Sequence, residues 1–163
     1  RLIVRNGLSG RFNLIIAGND PRKIISRLLD NNQEDTELPL TVFLNYVTDD
    51  ELKYLFSSSD YVLLPYKEIS QSGILEMAVH FRRPVITSNL TFFSEFLKEY
   101  KSFGWVSGGD NPEEYLKILY KLGTKEQNQF SGLYYSPDDL KKYENSKKES
   151  ALLLLVNKIQ NAG

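Results

Sequence analysis

TVFLNYVTDDELKYLFSSSDYVLLPYKEISQSGILEMAVHFRRPVIT, residues 41–87, decides the fold. Three short apolar runs stand in it at 41–47 (TVFLNYV), 61–65 (YVLLP) and 84–87 (PVIT). Each is too short for a helix and rich in β-branched or aromatic residues, so each reads as a strand. Between the first two, Thr48-Asp49-Asp50-Glu51 has the spacing of a capping box, with Thr48 covering a helix start and Glu51 reaching back to it. Leu52, Leu55 and Phe56 then share one helical face before the pattern dissolves in Ser57-Ser58-Ser59. Between the second and third strands, Ser72 and Gly73 open a helix expected over 74–81.

The alternation continues outward in both directions. Upstream, 12–17 (FNLIIA) predicts a strand ending at Gly18. Asn19 and Asp20 offer a cap and Pro21 a first helical position, with Ile24, Ile25, Leu28 and Leu29 at helical spacing. Downstream, a short helix at 93–100 leads to a fifth strand at 103–106, and Asn111-Pro112-Glu113-Glu114 begins a helix through Leu122. Strands apolar on both faces and separated by helices predict a parallel sheet covered on both sides. Right-handed crossovers then make the fold class α/β, a doubly wound, Rossmann-like parallel sheet. In such folds ligands lie outside the carboxyl ends of the strands. The loops at 18–20, 47–50, 66–72, 88–90 and 107–111 are therefore the ones that can bind.

Beyond residue 123 the chain changes character. It is polar and Lys-rich over 124–148, with an irregular helix expected from Ser136-Pro137, and a separate amphipathic helix is expected at 149–160. Residues 1–123 thus read as one α/β domain, and 124–163 as a helical extension packing on it. The chain starts at Arg1 without a Met, which reads as a piece of a longer protein.

Composition narrows the function classes. The 163 residues are 41% hydrophobic and 25% charged, average for a globular domain with one substantial core. Twenty Lys and Arg against 21 Asp and Glu give a net charge of −1, which argues against a nucleic-acid partner or an acidic membrane surface. With no Cys and one His, neither a thiolate nor a clustered transition-metal site is expected, and the lack of cysteine fits a reducing, cytoplasmic setting. His80, Trp105 and Asp60 read as structural residues, and Lys141, Lys142, Lys147 and Lys148 as one solvated face.

The segment that carries chemistry is 66–78, YKEISQSGILEMA. It leaves a strand at the binding edge and enters a helix at Ser72-Gly73. A helix start presents unpaired N–H groups and a positive dipole end, and glycine lets an anion come close, so a diphosphate is the natural guest. An ordinary capped helix has the same Ser-Gly opening.

Taken in order, LIIAGND at 14–20 and VFLNYVTDDELKYLFSSSDYVLLPYKEISQSGILEMAVHFRRPVITSN at 42–89 resemble the C-terminal, nucleotide-sugar-binding domain of GT-B glycosyltransferases, in particular the retaining family 4 (group 1). The likeness covers residues 10–123, with Gln-Ser-Gly standing where Gly-Phe-Gly is more usual. It implies a donor domain that binds a nucleotide-diphosphate sugar without a cofactor or metal, and a separate N-terminal acceptor-binding domain. It further implies a role in bacterial polysaccharide or glycolipid synthesis, and leaves open peripheral association of the longer protein with the inner face of the membrane.

Residue by residue, the resemblance gives Ser72, Gly73 and Ile74 to the donor diphosphate and Tyr46 and Val47 to the base. It gives Glu68 a catalytic place near the sugar, as the first acid of a Glu, seven residues, Glu signature. Glu76 closes that signature and would bind ribose, yet counting back from Ala78 and Pro84 sets the matching position at Met77. One residue on a helix is about 100° of rotation. Arg82 stands where a Gly usually precedes the proline, and the Arg and Lys the family sets near the diphosphate have no motif around Arg1 or Arg5.

Two other classes remain. A signalling receiver domain would need an Asp ending the third strand, paired acids near the first and a Lys ending the fifth, where this chain has Pro65-Tyr66, Gly18-Asn19-Asp20 and Ser107-Gly108. A non-catalytic α/β interaction module shares the fold without the chemistry.

Overall fold

A computed structural model describes residues 7, 9–20, 23, 25, 27, 40–69, 72–109, 111–123 and 135–160, with side chains through 153. In chain order the elements are β1 (Leu14–Ala17), β2 (Leu40–Phe43), α1 (Asp49–Ser58), β3 (Val62–Leu64), α2 (Gly73–His80), β4 (Val85–Thr87), α3 (Thr91–Glu99), β5 (Gly104–Val106), α4 (Pro112–Gly123) and α5 (Pro137–Gln160). The protein is α/β, and every strand pairing is parallel. The helix expected after Gly18 falls almost wholly outside the described residues, as do Arg1 and Arg5.

The sequence predicts one continuous sheet; among the described residues the strands fall into two hydrogen-bonded groups. They pair as β1–β2 and as β3–β4–β5. The two groups belong to separate compact units, Arg1–Asp60 with Ser107–Ser131, and Tyr61–Val106 with Gly132–Gly163.

In the first unit Leu14 registers with Leu40 and Ala17 with Phe43, and the Gly18 N–H adds a last rung to the Phe43 carbonyl at 3.0 Å. β1 ends there, so the expected strand at 41–47 stops at Phe43, and residues 44–47 become loop. Both strands alternate in exposure, with Ile15 and Phe43 exposed. Arg11 donates to the carbonyl of Gly123, which joins the start of this unit to the end of α4.

The second unit holds two successive β-α-β crossovers, through α2 and α3. Its middle strand β4 is wholly buried, registering Val62 with Val85 on one side and Gly104 with Val85 on the other. Leu64, Leu75, Ala78, Val79, Phe93 and Leu97 complete this core from both flanking helices and β3. β5 comes so close that a Cβ on Gly104 would run into the Val85 backbone and side chain, so only glycine fits there.

α5 is a single helix of 24 residues where the sequence predicted two. Beyond Pro137 no Gly or Pro interrupts it through Gln160. Ser136 caps its start, accepting from the Asp139 N–H at 3.1 Å. Asp139 accepts from the Ser102 N–H at 2.8 Å, and the Ser136 N–H donates to the Ser102 hydroxyl at 2.9 Å. Tyr143 packs against Phe96, Tyr100 and Phe103. The helix is thus docked through its first turns, while its described side chains from Glu144 to Leu153 are exposed.

Candidate anion site at the start of α2

The chain leaves β3 at Leu64 and turns through Pro65 and Tyr66, whose ring lies 6.0 Å from that of Phe93. Lys67 and Glu68 follow on an exposed bend, and Ser70 and Gln71 lie outside the described residues. Ser72 then takes an extended conformation (φ −138°, ψ 100°), and its buried hydroxyl oxygen accepts from the Leu75 N–H at 3.0 Å. The Ser72 carbonyl accepts the first intrahelical bond, from the Glu76 N–H at 3.2 Å. Of the four orphan donors, on Ser72, Gly73, Ile74 and Leu75, the cap satisfies that of Leu75, and those of Gly73 and Ile74 have no acceptor among the described residues. The Ser72 O–H proton is also still available to donate, since a hydroxyl can accept and donate at once.

Gly73 is exposed, and a Cβ built on it would meet nothing within 4 Å. Its φ lies outside the left-handed region, so neither backbone conformation nor packing calls for glycine here. Ile74 is likewise exposed. The position of a Gly73 Cβ is therefore clear among the described residues, and the helix dipole favours negative charge at this end.

Glu76 sits one turn in, on the exposed side of α2, with Leu75, Ala78 and Val79 buried and Met77 half-buried. Of the two ways of counting the family acid, position 76 is the one that faces water. Its carboxylate is engaged by Lys147 of α5, Nζ to Oε1 2.6 Å. That hydrogen bond holds the Lys147 ammonium above its ordinary pKa, against the opposing effect of burial. All four lysines that the sequence read as solvated are exposed, and two of them also form ion pairs, Lys147 with Glu76 and Lys142 with Glu99 at 3.3 Å.

The other end of α2 is closed by a feature the Arg-for-Gly difference already flagged. Arg82 has φ +53°, and its N–H donates to the Val79 carbonyl at 3.0 Å while the Arg83 N–H donates to that of Ala78 at 2.8 Å. This is a Schellman closure with arginine in the left-handed position usually held by glycine. Tyr135 adds its hydroxyl to the Arg83 carbonyl at 3.0 Å. Burial pushes the Tyr135 phenol well above its ordinary pKa. His80, the last residue of the helix, is exposed and edge-on to Phe81.

Tyr46 and Val47 belong to the first unit, in the loop between β2 and α1. Tyr46 is 77% exposed and Val47 half-buried. They precede the capping box, which is complete: the Thr48 N–H donates to Glu51 Oε2 at 2.8 Å, and the Glu51 N–H donates to Thr48 Oγ1 at 3.3 Å. Within the second unit, Ser72, Gly73, Ile74 and Glu76 come together on the first turn of α2, with Glu68 on the bend before it.

One further group lies at the carboxyl edge, at a position the sequence marked only as part of a binding loop and as compatible with a receiver domain. Ser88 follows β4, its N–H donates to the Leu64 carbonyl at 3.1 Å, and its buried hydroxyl has no hydrogen-bond partner among the described residues. Position 88 stood in a loop marked as able to bind, but burial of its hydroxyl has no sequence signal. Among the described residues no group of three or more His, Asp or Glu could hold a metal ion, and no helix is long and apolar enough to cross a membrane.

The class these observations define is an α/β protein of parallel strands with an open helix start at its carboxyl edge. No family model matches the chain, and a search of curated proteins finds no similar sequence.

Proposed function

We propose that the chain is the donor-binding half of a GT-B glycosyltransferase of the retaining type, a doubly wound domain that holds a nucleotide-diphosphate sugar. The observation that carries this reading is the start of α2. There two amides lack acceptors among the described residues, a hydroxyl can still donate, and a glycine required by neither packing nor conformation leaves clear space. In this reading the diphosphate meets the amides of Gly73 and Ile74 and the hydroxyl of Ser72. Glu76 takes the ribose hydroxyls, and Glu68 lies by the sugar. The charge that develops on the leaving diphosphate is then met by dipoles already in position, without acid chemistry from this domain.

Transfer also needs an acceptor held in line with the anomeric carbon, and orientation supplies much of the rate. That task falls to a separate acceptor-binding domain of a longer cytoplasmic protein, acting at the inner membrane face in polysaccharide or glycolipid synthesis. The test is isothermal titration of uridine and guanosine diphosphates, beside a radiolabelled-sugar transfer assay. The 163-residue chain should bind one nucleotide weakly, with Kd about 10⁻⁴–10⁻³ M. It should transfer nothing unless the acceptor domain is present. Binding of neither nucleotide would make it a non-catalytic α/β module, and robust transfer by this chain alone would overturn the half-fold reading.

A further inference from the structure

Gly73 and Glu76 are three residues apart on α2, so they share a face and lie ~4.5 Å apart along its axis. A nucleoside diphosphate with its phosphates at the Gly73 amide brings its ribose within a turn of the Glu76 carboxylate. Lys147 already holds that carboxylate at 2.6 Å. Resting on the reading just given, we infer that Lys147 is a built-in competitor of the ligand: its ammonium occupies the acid that ribose hydroxyls require, and binding must open this pair.

The lysine is suited to such exchange because its helix is docked independently of it. Asp139 bonds Ser102, and Tyr143 sits among Phe96, Tyr100 and Phe103, so α5 keeps its place when the ammonium lets go. Once released, the ammonium has a second partner, the Tyr143 ring, 5.6 Å away. Both side chains are about half exposed, at 51% and 63%, so water can replace either partner. An ion pair this exposed holds back binding by a small factor.

The sign of the effect makes the inference testable. A lysine that contacted phosphate would weaken binding when removed, whereas a competitor strengthens it. Uridine and guanosine diphosphates, and their 2′,3′-dideoxy analogues, are titrated into the wild-type chain, Lys147→Met and Lys147→Arg, with thermal unfolding as the check of fold. Lys147→Met should bind the ribonucleotide about two- to five-fold more tightly. The gain should vanish for the dideoxy analogue, which has no hydroxyls to offer the carboxylate, and Lys147→Arg should behave as wild type. Binding by Lys147→Met where the wild-type chain shows none also supports the latch. Wild-type binding that Lys147→Met leaves unchanged or weakens overturns the latch and leaves the donor-site reading intact. Binding by neither protein overturns both.

Discussion

The helices α1 and α2 each follow a strand at its carboxyl end, and their starts are built to opposite effect. At α1, Thr48 and Glu51 exchange hydrogen bonds, so each satisfies a donor of the other. The acids Asp49, Asp50 and Glu51 then fill the first turn. The dipole is answered from within, and an approaching anion meets three carboxylates. At α2 a single hydroxyl satisfies one donor, the next two residues are Gly73 and Ile74, and the one acid of the first turns is paired with Lys147. The same element of the fold is thus closed in one place and open in the other. What separates them is side-chain supply over three or four residues rather than topology.

The sharpest way to break this contrast is to fill the open start. Gly73→Val has room for its side chain and no left-handed φ to violate, so the fold should persist within a few tenths of a kcal/mol. Nucleotide binding should fall at least about tenfold, since the β-branched side chain stands where the phosphate approaches. If titration shows unaltered binding, the anion site lies elsewhere. The reciprocal change at the closed start is Thr48→Ala. It should cost about 1 kcal/mol in chemical denaturation and leave nucleotide binding alone.

A smaller effect tests the far end of α2. Arg82→Gly removes the strain of a left-handed arginine at a position where the Schellman bonds need only backbone, and should raise stability by about 0.5–1 kcal/mol. A loss of stability there would mean the arginine side chain does more for the protein than its backbone costs.

The smallest effect depends on pH. Hydrogen bonds from the Thr48 backbone and side chain lower the pKa of Glu51 below its ordinary value. A carboxyl depressed in the folded state adds stability above its unfolded pKa and loses it as pH falls through the folded one. The stability gap between wild type and Glu51→Gln should therefore narrow from about pH 5 downward. A gap that stays constant into acid would show that the bond does not depend on the charge.

These contrasts were unequally legible in the sequence. The α1 capping box could be read from four adjacent residues, because all its partners lie within one turn. The apolar runs around β3 and β4 and the Ser72-Gly73 opening were legible for the same reason. Arg82 was visible as a departure from the usual glycine, though its left-handed backbone was not. Other features have no local trace. The Lys147–Glu76 pair joins positions 71 residues apart, and a lysine among lysines looks like solvated surface. The break at Glu149 expected in α5 rested on a change of composition, whereas a helix ends where a breaker or a cap ends it. The split of the strands into a pair and a triple depends on which edges bond, and alternating hydrophobicity is silent about that.

The grip of Tyr135 on the end of α2 has a consequence in time. Its hydroxyl bonds the carbonyl of Arg83, 52 residues earlier in the chain. At the usual speed of synthesis, about 5–20 residues per second, some 3–10 s separate the emergence of the two from the ribosome. Until Tyr135 emerges the Arg83 carbonyl lacks this bond, and Phe103, once made, lacks the cover of the ring that finally lies 4.2 Å from its own. The second unit can therefore assemble its strands and first two helices early, but its core closes only when the C-terminal segment arrives. A ribosome stalled between these points would hold an aromatic surface open to whatever else is nearby.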